Sequence, residues 1–166
     1  MTTKLRVSFN SPQSGFMSIG LKAGKANFVT AVAHLPYDSL RDLINALTAL
    51  LSGATAVTVK WNREPEEYDF EVHRSGDAAV LNIIRYPNHR RVKRKSETVF
   101  SHKASVVSIC GSFFSALDEL YKDKDTDEFD KNWRREFPGA EFRELTDRMS
   151  AAKLKSSEIK GADHAA

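Results

Sequence analysis

The feature that most constrains the fold is an alternation of apolar and polar residues that recurs along residues 5–100. A period of two predicts strands that each bury one face. Turn-forming residues separate the alternating segments, at Asn10 to Gly15, Gly24-Lys25, Arg63 to Glu66 and Ser75 to Asp77. Connections this short are typical of hairpins, so the sequence predicts a mainly antiparallel sheet of six to seven strands.

Helical spacing interrupts the alternation once and then fills the last third of the chain. Between Leu40 and Leu51 apolar residues recur three and four positions apart, after Asp38 or Ser39 as a cap and before Gly53 as the stop. Similar spacing predicts three later helices. The predicted fold is α+β in the order βββα, then βββ with a possible fourth strand, then ααα, with the helices packed on one face of the sheet.

Length and composition predict one domain. Of the 166 residues, 41% are hydrophobic and 28% are charged, which is near the average for soluble globular proteins. The first residues lack the apolar core of a secretory signal, so we expect a cytoplasmic protein with no membrane contact. Few apolar residues follow Met149, which predicts a domain over residues 1–149 and a disordered or frayed tail over 150–166.

Side chains that carry chemistry form no recognisable catalytic or metal-binding motif, and we expect neither a metal nor another cofactor. The single cysteine, Cys110, lies on the apolar stripe of a predicted helix, which favours a buried thiol over a nucleophile. The five histidines are scattered rather than paired four apart. Glu64, Glu66 and Glu67 flank a predicted turn, which favours a polar hairpin tip over acid–base carboxylates.

A net charge of +3 conceals two segments of opposite sign. The basic loop, residues 85–95, contributes the partner-binding candidates Arg90, Arg91, Lys93, Arg94 and Lys95. The acidic segment, residues 123–130, contributes the candidates Asp123, Asp125, Asp127 and Glu128. Charge runs of this kind are either plain solvated loops or surfaces that steer the association of a partner.

The acidic segment imitates a calcium-binding loop only in part. Asp123, Asp125 and Asp127 have the spacing of the first three ligands. The pattern then requires glycine where Glu128 stands and a bidentate glutamate where Arg134 stands. A solvated stretch at the start of a helix is therefore the preferred interpretation.

Binding of nucleic acid or another polyanion through the basic loop is the alternative function. The cations of the loop would neutralise phosphates, and Tyr86 would offer a stacking face to a base. Against this, the chain has no helix-turn-helix, zinc-finger or RNP-type aromatic pattern, and its remaining charge is close to balanced.

Three stretches, Trp61 to Phe70, Arg74 to Asp77 and Trp133 to Pro138, resemble segments of small uncharacterised bacterial proteins encoded in polymorphic-toxin and other conflict loci. The resemblance implies an immunity protein that neutralises a toxin, or a similar binding module without catalysis. Immunity proteins that block basic nucleases tend to be acidic, whereas this chain has a pI near 9.0. The expected partner is therefore another protein, and a toxin with an acidic or apolar surface would fit best.

Overall fold

The computed structural model describes residues 3–165, and their side chains as far as residue 157. The strands are β1 (Arg6–Phe9), β2 (Phe16–Ala23), β3 (Ala26–Ala33), β4 (Ala56–Asn62), β5 (Glu67–Ser75), β6 (Ala78–Tyr86) and β7 (Glu97–Ser105). Helix α1 (Ser39–Leu51) connects β3 to β4, and α2 (Val106–Asp123), α3 (Phe129–Trp133) and α4 (Gly139–Ala165) follow β7. A short 3-10 turn, Lys93–Lys95, lies between β6 and β7.

The strands form two antiparallel sheets. One has the order β1-β2-β3 and the other the order β4-β5-β6-β7. The predicted α+β class and antiparallel pairing are confirmed, but the single sheet of six to seven strands is wrong. Helix α1 separates β3 from β4 along the chain, and no ladder joins these two strands in the described range. Alternation identifies strand residues and their buried face, yet it carries no information on which strand edges pair.

The core lies where the two sheets meet the helices. Phe28 of β3 packs edge-on against Tyr68 and Phe70 of β5, with ring centres 5.1 and 6.1 Å apart. Phe70 in turn contacts Trp61 of β4 and Phe113 of α2. Helix α2 lies along β1 and also contacts β6 and β7. The helices therefore contact both sheets, and the prediction that they gather on one face of a single sheet is corrected.

Helix α1 follows its predicted stripe but begins differently from expectation. Its buried side chains are Leu40, Leu43, Ile44, Leu47 and Leu50, together with Ser39. Neither candidate cap accepts a hydrogen bond from the free N–H groups of the first turn. The Asp38 carboxylate instead meets Arg41 Nε at 3.0 Å, and the Ser39 hydroxyl donates to the Lys60 carbonyl oxygen at 2.5 Å. The second of these bonds ties the start of α1 to β4.

Helix α4 runs further than the predicted last helix. Met149 is the last buried apolar side chain among those described, which end at residue 157, yet the helix continues to Ala165 through the segment predicted as a tail. Leu154 in this extension is 67% exposed. Position 166 lies outside the described residues, and fraying of the extension stays a prediction. Neither α4 nor any other helix in the described range combines the length and apolarity needed to cross a membrane.

Candidate functional site

The basic loop has a defined backbone between the end of β6 and the start of β7. Arg91 N donates to the Asn88 carbonyl oxygen at 3.2 Å, and Lys95 N donates to the Val92 carbonyl oxygen at 2.9 Å. The side-chain oxygen of Asn88 also accepts from Arg90 N at 3.0 Å. These bonds give the loop a shape of its own before any partner is present.

Arg91 fastens the loop to the second sheet. Its Nε donates to Glu67 Oε1 at 2.8 Å, and its Nη1 pairs with Asp69 Oδ1. The side chains of Glu67 and Asp69 are 3% and 9% exposed, and that of Arg91 is 16% exposed. The backbone of Arg91 has a φ of 51°, a left-handed conformation that costs a non-glycine residue about 1 kcal/mol. The contacts to β5 hold this conformation in place.

Neighbouring charges keep Arg91 protonated. Burial alone lowers the pKa of its guanidinium, but the hydrogen bond to Asp69, the charge of Asp69 and the hydrogen bonds to Tyr37 and Glu67 together outweigh burial, and the pKa is raised. The cluster places one guanidinium against the two carboxylates of Glu67 and Asp69. The cluster therefore has one more carboxylate than it has cations, and this excess lies where the basic loop contacts β5.

Two tyrosines complete the cluster around Arg91. The Tyr37 hydroxyl donates to Glu67 Oε1 at 2.7 Å. The guanidinium carbon lies 5.1 Å from the centre of the Tyr86 ring and 5.8 Å from that of Tyr37, within the range of cation–π attraction. Burial and the hydrogen bond to Glu67 raise the pKa of Tyr37, while burial and the charge of Asp69 raise the pKa of Tyr86. Both tyrosines are neutral at pH 7.

The other four predicted cations of the loop are exposed to solvent, unlike Arg91. Arg90, Lys93, Arg94 and Lys95 are all exposed. Within the described range none of these four side chains forms an ion pair. Their charge is not compensated inside the protein, so it can attract an anionic partner over a distance. Arg91 instead pairs with Glu67 and Asp69 of the protein itself. It thereby holds in place the loop whose exposed surface the other four cations form.

The acidic segment lies elsewhere, where α2 ends and α3 begins. Other side chains engage three of its candidates: Asp125 pairs with Lys124, Asp127 accepts from the distant Ser11, and Glu128 pairs with Lys131. Asp123 is the last residue of α2 and is exposed. No hydrogen bond or ion pair between described residues joins this segment to the basic loop. In the described part of the chain, no three His, Cys, Asp or Glu side chains converge as a metal site would require.

Sequence reasoning missed the buried cluster under the basic loop. Asp69 alternates with the apolar Tyr68 and Phe70, which predicts a polar-face position, yet only 6% of the whole residue, backbone included, is exposed. Glu67 is interpreted from the sequence as part of a polar hairpin tip, but only 2% of the whole residue is exposed, so that interpretation is wrong for this residue. The physical reason is that Arg91 and Tyr37 reach these carboxylates from elsewhere in the chain. One sequence signal could have predicted the cluster, namely an arginine-rich loop together with a strand that carries several acidic residues.

Cys110 is buried, as its position on the helical stripe predicted, with Sγ 4.0 Å from the Leu47 carbonyl oxygen. Burial raises the pKa of the thiol to about 12, so the reactive thiolate is scarce at neutral pH. We expect slow labelling by a thiol reagent in the native protein and fast labelling in denaturant. Cys110→Ala should lower the free energy of unfolding by about 1 kcal/mol. Rapid labelling of the native protein would contradict this placement.

Comparison of the chain with family models, with curated proteins and with solved structures finds no match. The resemblance to proteins of toxin loci thus stays an expectation from the sequence.

Proposed function

We propose that this chain is a non-enzymatic binding module whose basic loop contacts an acidic surface of another protein. The observation that supports the proposal is that the backbone of the basic loop is anchored while its exposed cations pair with no carboxylate in the described range. Arg91 holds the loop on β5, and Arg90, Lys93, Arg94 and Lys95 remain exposed and unpaired in the described range. A loop already held in shape loses less conformational entropy when it binds. Free surface cations speed the encounter with an anionic partner.

Binding is favoured over catalysis because the side chains best suited to catalysis are already engaged or buried. Glu67 and Asp69 hold Arg91, and Glu67 also accepts from Tyr37. The Cys110 thiol is buried, and its pKa is raised to about 12.

Within this class, an immunity protein that neutralises a toxin is the assignment we favour. The pI near 9.0 and the exposed cations suit a toxin with an acidic surface. A toxin gene directly upstream of the gene for this chain would support the assignment independently of the structure.

Nucleic acid is the second candidate, since the same exposed cations also fit phosphates. Binding to duplex DNA would then weaken with salt at a log–log slope of about −0.9 per phosphate contact. The expected stacking face is less available than the sequence suggested, because Arg91 lies over the Tyr86 ring at 5.1 Å. DNA binding at low salt that is lost in Arg90→Glu/Arg94→Glu would move the assignment to nucleic acid. Undetectable binding at low salt would remove this candidate.

Affinity capture from the native host tests the protein-binding proposal. We expect a partner that is lost in Arg90→Glu/Arg94→Glu and retained in the control Lys22→Glu/Lys25→Glu, whose cations are exposed and outside the loop. Each variant reverses two cations, so both change the net charge equally. All four positions are exposed, and melting temperatures should hardly change. Equal retention by both variants would place the interface elsewhere, and Asp125→Lys/Asp127→Lys tests the acidic segment in the same assay.

A further inference from the structure

A cavity of about 330 Å³ opens beside the anchored end of the basic loop. Leu35, Pro36 and Pro65 form its apolar wall, while Asn62, Glu64 and Glu67 are among its polar lining residues. Leu35 is 53% exposed, which is unusual for a large apolar side chain in this protein. Apolar walls with a few placed polar groups are typical of ligand sites. Two further lining residues, Asn88 and His89, belong to the basic loop itself.

Glu67 supplies a buried carboxylate to this cavity. Its side chain is 3% exposed, and Tyr37 and Arg91 both meet the same oxygen, Oε1. No donor among the described residues reaches the second oxygen, Oε2. Oε2 is not fully buried, so it is accessible to a ligand in the cavity that donates a hydrogen bond.

The lining residues of the cavity include two carboxylates, Glu64 and Glu67, and no lysine or arginine. Glu64, its second carboxylate, is exposed and forms no ion pair within the described range, whereas the nearby Glu66 pairs with Arg63. Asp69, which is not a lining residue, adds a further carboxylate nearby, and Arg91 pairs with both Glu67 and Asp69. Carboxylates beside aliphatic walls favour a cationic group on an apolar stem, which is the chemistry of an arginine or lysine side chain.

We propose that the cavity receives an arginine or lysine side chain of the protein partner. On the partner, this side chain lies next to the acidic residues that contact the basic loop. This inference rests on the proposed function, because the side chain comes from the partner that the loop binds. Two adjacent contacts of opposite sign fix the register of a complex, since a shifted partner would bring like charges together.

Blocked arginine tests the cavity without the partner. Nα-acetyl-arginine amide is titrated into the isotope-labelled full chain at pH 7, and the citrulline analogue provides a neutral control of similar shape. We expect saturable amide shifts around Asn62, Glu64 and Asn88, with citrulline binding about tenfold weaker because charge-assisted hydrogen bonds are lost. Free arginine should bind no more tightly than the blocked form. Tighter binding of free arginine would show a site for the free amino acid and overturn the side-chain assignment.

Glu64→Gln is the informative variant, because Glu64 is exposed and glutamine preserves its size. Glu66→Gln is the matched control, with the same change in charge outside the cavity lining. We expect Glu64→Gln to weaken the binding of blocked arginine by up to about fivefold, and Glu66→Gln to leave it unchanged. Equal affinities of the two variants, or equal affinities for arginine and citrulline, would overturn the cation site.

The cavity inference and the proposed function can be refuted separately. Absence of arginine binding in a protein whose partner capture still depends on Arg90 and Arg94 would refute the cavity inference alone. Partner capture that ignores the loop charges would refute the proposed function, whatever the arginine titration shows.

Discussion

Arg91→Met should lower the free energy of unfolding by about 3 kcal/mol, because it leaves the carboxylates of Glu67 and Asp69 without their cation. Those side chains are 3% and 9% exposed, so water compensates the lost pairing only in part. The variant also loses the contact between the guanidinium and the Tyr86 ring. Methionine preserves most of the apolar stem, which limits the loss from packing. Urea denaturation at pH 7 measures the change.

Arg94→Met is the matched control for this experiment, since Arg94 is exposed in the same loop. Its effect should stay within about 0.5 kcal/mol. Adding Glu67→Gln and Asp69→Asn to Arg91→Met should restore part of the stability, because no uncompensated buried charge then remains. A loss below about 1 kcal/mol in Arg91→Met, the range of exposed ion pairs, would show that other contacts hold the loop.

Phe70→Ala should lower the free energy of unfolding by about 4 kcal/mol, the largest effect that we expect from one truncation. The Phe70 ring centre lies 5.6 Å from that of Trp61, 6.1 Å from that of Phe28 and 6.4 Å from that of Phe113. One ring therefore contacts both sheets and α2, and its removal leaves a cavity where all three meet. Thermal and urea unfolding measure the loss.

Val29→Ala is the control for Phe70→Ala, because Val29 lies on β3 but is 66% exposed. Its effect should stay within about 0.5 kcal/mol. If both sheets belong to one domain, tryptophan fluorescence and far-ultraviolet circular dichroism of the native chain should report the same unfolding midpoint. Two separate midpoints would contradict a single cooperative domain over residues 1–149.

Local patterns were sufficient to predict most elements but not the pairing of strands. The Gly24-Lys25 turn lies between β2 and β3 as expected, and α1 buries its predicted stripe, because both features depend on neighbouring residues. Division into two sheets depends on where α1 places β4 after β3, which is a long-range property. The described side chains of α4 after Met149, as far as residue 157, also form no buried stripe, so apolar spacing could not predict this extension.

The candidate site was predictable only as a region of charge. Arg90 and Arg91 are identical neighbours in the sequence, yet one is exposed and the other reaches Glu67 and Asp69. Their difference arises from a left-handed backbone at Arg91 and from carboxylates on a distant strand. The cavity, too, is formed by segments far apart in the chain, so no single segment of the sequence predicts it.

The association rate constant of the captured partner, measured against ionic strength, tests most directly whether the anchored basic loop forms the interface. The rate of the native chain should fall steeply as salt rises from about 50 to about 500 mM, since screening removes the attraction. At low salt, Arg90→Glu/Arg94→Glu should associate at least about tenfold more slowly, and Lys22→Glu/Lys25→Glu should differ little from the native chain. A rate that is independent of salt and equal in all three proteins would contradict an interface built on this loop.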